Sequence, residues 1–219
     1  MKASVITIAS MLVLLAAGIG IGWGFESTVT PASGGTVTVT NQIQSAYPLT
    51  LVITTQNTYN STIGAQPAYY VLTSDGLRSS ANIALPANSM IKLTIVCYDN
   101  GYAPLILSEY ANVQGTVNGT ITYTNNDDVN SSQGPNGIVL NGGETVTNVS
   151  TDLIAHTFTI PTLNLNIPVP ANSTVVAYFK TGAAGTYIWS CETGCGAGIS
   201  GIFGAMDSPG WMTGKVTLS

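Results

Sequence analysis

A chain of 219 residues is long enough to bury a sizeable core, and its length suits one large all-β domain or a domain with an elaborated region. Charged residues make up only 7% of it, against roughly 25% in ordinary soluble proteins, so Thr, Ser, Asn and Gly supply a surface that is polar but hardly ionic and keeps its character in an acidic external medium. A net charge of -5 with five basic residues in no cluster excludes nucleic acid as a partner, because a phosphate backbone demands patches of Lys and Arg.

In chain order, the first feature is an uncharged run from Ala3 to Phe25, bracketed by Lys2 and Glu26. A helix of that length crosses a bilayer core of about 30 Å. Lys2 keeps the amino terminus in the cytoplasm, so the remaining chain faces outward. A cleaved signal peptide is the competing reading, but no A-x-A sequence precedes a plausible mature start, and the run is long for an h-region of about 7–15 residues. Residues 1–25 are therefore read as a membrane anchor or signal segment, 26–40 as a Ser/Thr/Gly/Pro linker, and 41–219 as the outward domain. N-x-S/T sequons at Asn60, Asn118, Asn130, Asn148 and Asn172 fit an exported glycoprotein.

Strands follow. Leu49 to Thr55, Ala68 to Thr73, Met90 to Tyr98, Gly119 to Tyr123, Gly143 to Asn148, His156 to Ile160, Thr174 to Phe179, Thr186 to Ser190 and Gly214 to Leu218 are β-branched or aromatic runs bounded by Gly, Asn, Pro or Asp. No helical periodicity persists past the anchor, and short strands with frequent turns predict a β-sandwich or barrel. Residues 102–143 form the least regular stretch and read as an inserted, exposed excursion.

Reactive sulfur is concentrated at the end of the chain. Between Gly185 and Ser219 lie Cys191, Cys195, Met206 and Met212, with Trp189 and Trp211 as packing residues. His156, the single histidine, lies on a strand upstream. Thiolate and thioether ligands select soft metals, and imidazole, thiolate and thioether together are the ligand set of a copper electron-transfer site. Each group also has a plainer reading: His156 as a satisfied core residue, Met206 as a core filler or alternative axial group, Glu192 as a solvated loop carboxylate or a hard oxygen ligand. Cys97, in LTIVCY, reads as a buried small hydrophobe. Cys191 and Cys195 bind metal as thiolates or close a short disulfide in an oxidising exterior. One histidine precludes a His₃ or His₂ zinc centre, no G-x-S-x-G elbow is present, and no paired carboxylates stand in a recognisable setting, so an enzyme is not expected.

The terminal third resembles a cupredoxin, and more narrowly the copper-binding domain of subunit II of haem-copper oxidases. DLIAHTFTIP, from Asp152 to Pro161, is similar to that family's D-x-I-H-x-F-x-x-P with one residue added before His156. WSCETGCG, from Trp189 to Gly196, matches its C-x-x-x-C-G, and WMTGKV resembles its closing M-x-G-x-V. The resemblance implies a cupredoxin-like Greek-key β-sandwich behind one N-terminal transmembrane helix. It also implies copper at His156, Cys191, Cys195 and Met212, with the two thiolates able to bridge two ions, and a redox protein or respiratory complex as partner. The family's second histidine and its methionine would fall at Ile199 and Ile202, so the second imidazole is absent. The leading reading is a membrane-anchored extracellular electron carrier; the alternative is a metal-free sandwich serving as a structural or interaction subunit of a surface or membrane assembly.

Overall fold

Alternation of apolar and polar side chains sets the architecture. In the computed structural model, which describes residues 43, 45–126, 143–196 and 204–219, twelve strands form two sheets. They are β1 (Tyr47–Asn60), β2 (Gly64–Thr73), β3 (Gly76–Ser79), β4 (Asn82–Leu85), β5 (Met90–Cys97), β6 (Ile121–Asn125), β7 (Glu144–Val146), β8 (Ile154–Ile160), β9 (Leu165–Pro170), β10 (Ser173–Lys180), β11 (Gly185–Ser190) and β12 (Thr213–Leu218). One sheet has the order β3-β2-β1-β5-β10-β6-β7 and the other β4-β12-β11-β8-β9. Most neighbours are antiparallel, but β1 runs parallel to β5 and β12 parallel to β4.

Along β5, Ile91, Leu93, Ile95 and Cys97 are buried toward the second sheet; along β12, Gly214, Val216 and Leu218 are buried while Lys215 and Thr217 are exposed. That period of two is what one core-facing side of a strand requires. Between the sheets Tyr69 of β2, Phe158 of β8 and Trp189 of β11 meet, with ring centroids 5.1 Å apart for Tyr69 and Trp189 and 5.5 Å for Phe158 and Trp189. Their polar ends are satisfied: the Tyr69 hydroxyl donates to the Thr157 carbonyl at 2.9 Å, and the Trp189 indole donates to the Ser80 carbonyl at 3.0 Å. The first of these bonds ties one sheet to the other.

The expected strands are present with shifted ends, and β3, β4 and β9 are additional. Strand β9 was obscured by Pro168 and Pro170, which cannot donate ladder hydrogen bonds; the strand sits at a sheet edge, where that loss is tolerated. Of the expected excursion 102–143, residues 127–142 lie outside the described residues; in the described part Tyr102, Ile106 and Leu107 are exposed, while Ala111, Val113 and Ile121 are buried. Single bridges join Leu105 to Thr193, Asn112 to Asn148, Gln114 to Asn166 and Thr116 to Phe179. Asn166 donates to the carbonyls of Tyr110 and Asn112, and every residue of β8 is consequently buried. The expected anchor 1–25 and linker 26–40 also lie outside the described residues; among the described residues, no helix is long and apolar enough to cross a membrane.

Gly214 is where the closing strand passes Trp189. A Cβ there would lie 2.5 Å from the indole nitrogen and 2.7 Å from the Ser80 carbonyl, so Gly214→Ala must push apart a buried hydrogen-bonded pair. Overpacking of this kind costs about 1–3 kcal/mol, and thermal unfolding of Gly214→Ala should show a melting temperature lower by several degrees.

Candidate metal centre

The centre is assembled from strands distant in sequence. β8 contributes His156, and the connection from β11 to β12 contributes Cys191, Cys195, Met206 and Met212. Backbone hydrogen bonds pin that connection at several points: Cys191 N–H to the Met212 carbonyl at 2.8 Å, Gly194 N–H to Pro104 at 2.9 Å, Ala205 N–H to Gly196 at 2.9 Å and Met212 N–H to Ala205 at 3.1 Å. Side chains add to it. Glu192 N–H donates to the Thr157 hydroxyl at 2.7 Å, and the Thr193 hydroxyl lies 3.0 Å from the Ala155 carbonyl. Gly196 is required directly after the second cysteine, because its φ is +72° and a Cβ there would fall 2.7 Å from that of Ala205.

These constraints bring the four sequence-predicted donors together. His156 Nδ1 lies 2.9 Å from Cys195 Sγ and 3.8 Å from Cys191 Sγ, the two sulfurs are 3.2 Å apart, and Met212 Sδ is 3.6 Å from Cys195 Sγ. The imidazole nitrogen and the two thiol sulfurs, all within 4.8 Å of one another, are close enough to share a metal ion. His156 and Met212 are fully buried, and both cysteines are buried with them. Cys191 and Cys195 are free thiols at a separation well beyond a disulfide bond of about 2.05 Å. Met206, which sequence alone offers as a core filler or an axial group, reaches to within 4.0 Å of Cys195 Sγ. Glu192 stays outside the donor cluster and accepts a hydrogen bond from Ser190 at 2.5 Å. Cys97 is buried at the end of β5, its thiol 3.7 Å from the Asp99 carbonyl, and burial pushes that thiol up to about 12.

Two participants were not legible in the sequence. Asp99 Oδ2 lies 2.9 Å from His156 Nε2, on the side of the ring opposite the sulfurs. Thr193, between the cysteines, places its hydroxyl 3.2 Å from Cys191 Sγ and 3.0 Å from Cys195 Sγ. Asp99 follows β5 in an unremarkable CYDNGY turn, and only the packing of the two sheets brings it to the ring. Of the sequons, Asn60, Asn118 and Asn148 are exposed, Asn172 is partly buried with its amide 3.4 Å from the Asn125 side chain, and Asn130 lies outside the described residues.

The electrostatics follow from burial set against these bonds. Burial disfavours a thiolate at Cys191, yet hydrogen bonds from Cys195, His156 and Thr193 outweigh it and draw the thiol well below its ordinary range. The Thr157 N–H, 3.3 Å from Cys191 Sγ, points to the same sulfur as the charged one. Burial and the neighbouring Cys191 push Cys195 well above its ordinary range, so the pair shares one thiolate. Burial also disfavours an imidazolium at His156, but the hydrogen bonds to Asp99 and Cys191 raise its pKa to about 9. Burial raises the Asp99 carboxyl as well, and the bonds from His156 and the Gly101 N–H override this to leave it below its usual value.

No family model matches the chain, and no curated protein matches it. Among solved structures it is similar to auracyanin B (14% identity, covering 78% of this chain and 88% of that one, TM-score 0.29). It is also similar to the periplasmic domain of subunit II of cytochrome oxidase from Bradyrhizobium japonicum (13%, 78% and 83%, TM-score 0.31) and to a rusticyanin variant (13%, 80% and 78%, TM-score 0.33). Identities and TM-scores this low carry neither function nor site residues from those proteins to this one.

The single histidine makes the charge state of the centre directly readable. In the metal-free protein the His156 imidazole should titrate by NMR near pH 9 instead of 6.5. Because the folded-state pKa is raised, the stabilisation by the Asp99 pair is complete below about pH 6.5 and is lost as pH rises through about 9. The gap in melting temperature between wild type and Asp99→Asn should therefore close across that interval; a gap that widened would contradict the pairing.

Proposed function

We propose that the chain is a cupredoxin-like electron-transfer protein whose metal is copper, held by His156, Cys191, Cys195 and Met212. One observation carries this reading: an imidazole nitrogen, two thiol sulfurs and a thioether sulfur, all buried, converge with Cys195 Sγ at 2.9 Å, 3.2 Å and 3.6 Å from the other three. A thioether is outside the usual ligand set of zinc, which takes Cys, His, Asp or Glu, whereas thiolate with thioether selects copper in its reduced state and imidazole suits both states. Copper in such a set supplies a one-electron couple whose potential is tuned by the axial ligand and by hydrogen bonds around the thiolate.

The chain's own residues serve that chemistry by holding still and excluding water. Thr157 N–H donates toward Cys191 sulfur, the Thr193 hydroxyl lies 3.2 Å and 3.0 Å from the two sulfurs, β8 fixes the imidazole, and the pinned β11–β12 connection fixes both cysteines and Met212. Full burial of the donors leaves no open position for a substrate, which favours an electron carrier over a catalyst. The electron enters and leaves through the protein surface, exchanged with a redox protein or respiratory complex. The uncharged run Ala3 to Phe25 behind Lys2, together with the sequons, supports a single-pass membrane protein with its domain outside the cell.

A second reading is favoured by a specific observation, the absence of any second imidazole in the chain. In it the sandwich is metal-free, closes a disulfide between Cys191 and Cys195, whose sulfurs already lie 3.2 Å apart, and serves in a surface or membrane assembly.

Reconstitution separates the two. Protein loaded with Cu(II) should show a strong visible band from thiolate-to-copper charge transfer, and Cys191→Ser should abolish it. A colourless protein in which thiol counting finds only Cys97 would establish the metal-free reading instead.

A further inference from the structure

An imidazole serves as a ligand only if its ring is correctly oriented and its one proton sits on the nitrogen that does not face the metal. In most soft-metal sites built from several imidazoles, an error in one is shared by the others. Here a single ring carries the whole nitrogen contribution, so whatever orients it has unusual weight. His156 Nδ1 faces the sulfurs and Nε2 faces Asp99 Oδ2 at 2.9 Å. A carboxylate is an acceptor only, so it holds a proton on Nε2, and the nitrogen that gives up its proton to bind a metal is Nδ1.

Asp99 is not a wandering surface carboxylate. Its side chain is 16% exposed against 0% for His156. Its other oxygen, Oδ1, accepts the Gly101 N–H at 2.7 Å, and its carbonyl accepts the Asn172 N–H at 2.8 Å. The turn after β5 is thus clamped by its own backbone and by the turn before β10, and the carboxylate is delivered to the ring from the sheet opposite β8.

Resting on the copper reading above, we propose that Asp99 is the positioning residue of the centre: by fixing the orientation and tautomer of His156 and lending it negative charge, it makes a one-histidine copper site workable. A carboxylate hydrogen-bonded to a ligating imidazole raises the ligand's basicity, and its charge favours the more highly charged metal state. Cu(II) is stabilised relative to Cu(I), which lowers the reduction potential.

The test uses the full chain, wild type against Asp99→Asn, a change that keeps shape and a hydrogen-bond acceptor while removing the charge. Titration with Cu(II), followed by the charge-transfer band, should show binding weaker by about 10–100-fold in Asp99→Asn, and redox titration should show a more positive potential. Equal affinity and equal potential in the two proteins would overturn this inference and leave the copper reading standing. Failure of the wild type to take up Cu(II) at all would overturn both. Should Asp99→Asn not fold, nitrogen-15 NMR of the Cu(I)-loaded wild type decides: a protonated Nε2 supports the assignment, and a metal-bound Nε2 refutes it.

Discussion

His156 is held from two sides, by sulfur at Nδ1 and by a carboxylate at Nε2, each at 2.9 Å. A fully buried ionisable ring is costly unless its charge is paired and hydrogen-bonded. Here the pairing is a relay: Asp99 stabilises the imidazole, the imidazole and Thr193 stabilise the Cys191 thiolate, and the protonated Cys195 lies between that thiolate and Met212. At Asp99, His156 and Cys191 the hydrogen bonds between members override burial, while at Cys195 burial and the neighbouring Cys191 act together. A metal ion displacing the proton shared between the sulfurs would inherit a site whose charge is already organised.

Rigidity comes from how the sheets are joined and not from the loop itself. Tyr69, Phe158 and Trp189 fill the space beneath the centre, and the Tyr69 hydroxyl reaches across to the backbone of β8 one residue past His156. The Trp189 ring in turn depends on the missing side chain at Gly214. On the other face of β8, Thr157 and Thr159 continue through Asn166 to the carbonyls of Tyr110 and Asn112, so a polar seam is fully satisfied without water. A strand packed on both faces has little freedom to move its buried side chains.

Much of this was legible from local pattern. The period-two strands β5, β11 and β12 are readable because a half-buried strand must alternate, and His156, Cys191, Cys195 and Met212 stand out because imidazole, thiol and thioether groups are few in this chain. Strand β9 was hidden because Pro168 and Pro170 contradict an interior strand and only an edge position reconciles them. The segment before β6 carries no period in its sequence, so its bridges to Thr193, Asn148, Asn166 and Phe179, all distant in the chain, are not legible there.

The amino-acid sequence by itself determined the β class and the sulfur-rich terminal connection, because alternation and residue type are properties of neighbouring residues. Only the tertiary structure decided that Asp99, 57 positions before His156, would face its second nitrogen, and that Met206 would come within reach of Cys195 alongside Met212. The reason is geometric: a carboxylate or a thioether has no sequence signature for the partner it will meet, and that partner is chosen by which strands pair and how one sheet lies on the other.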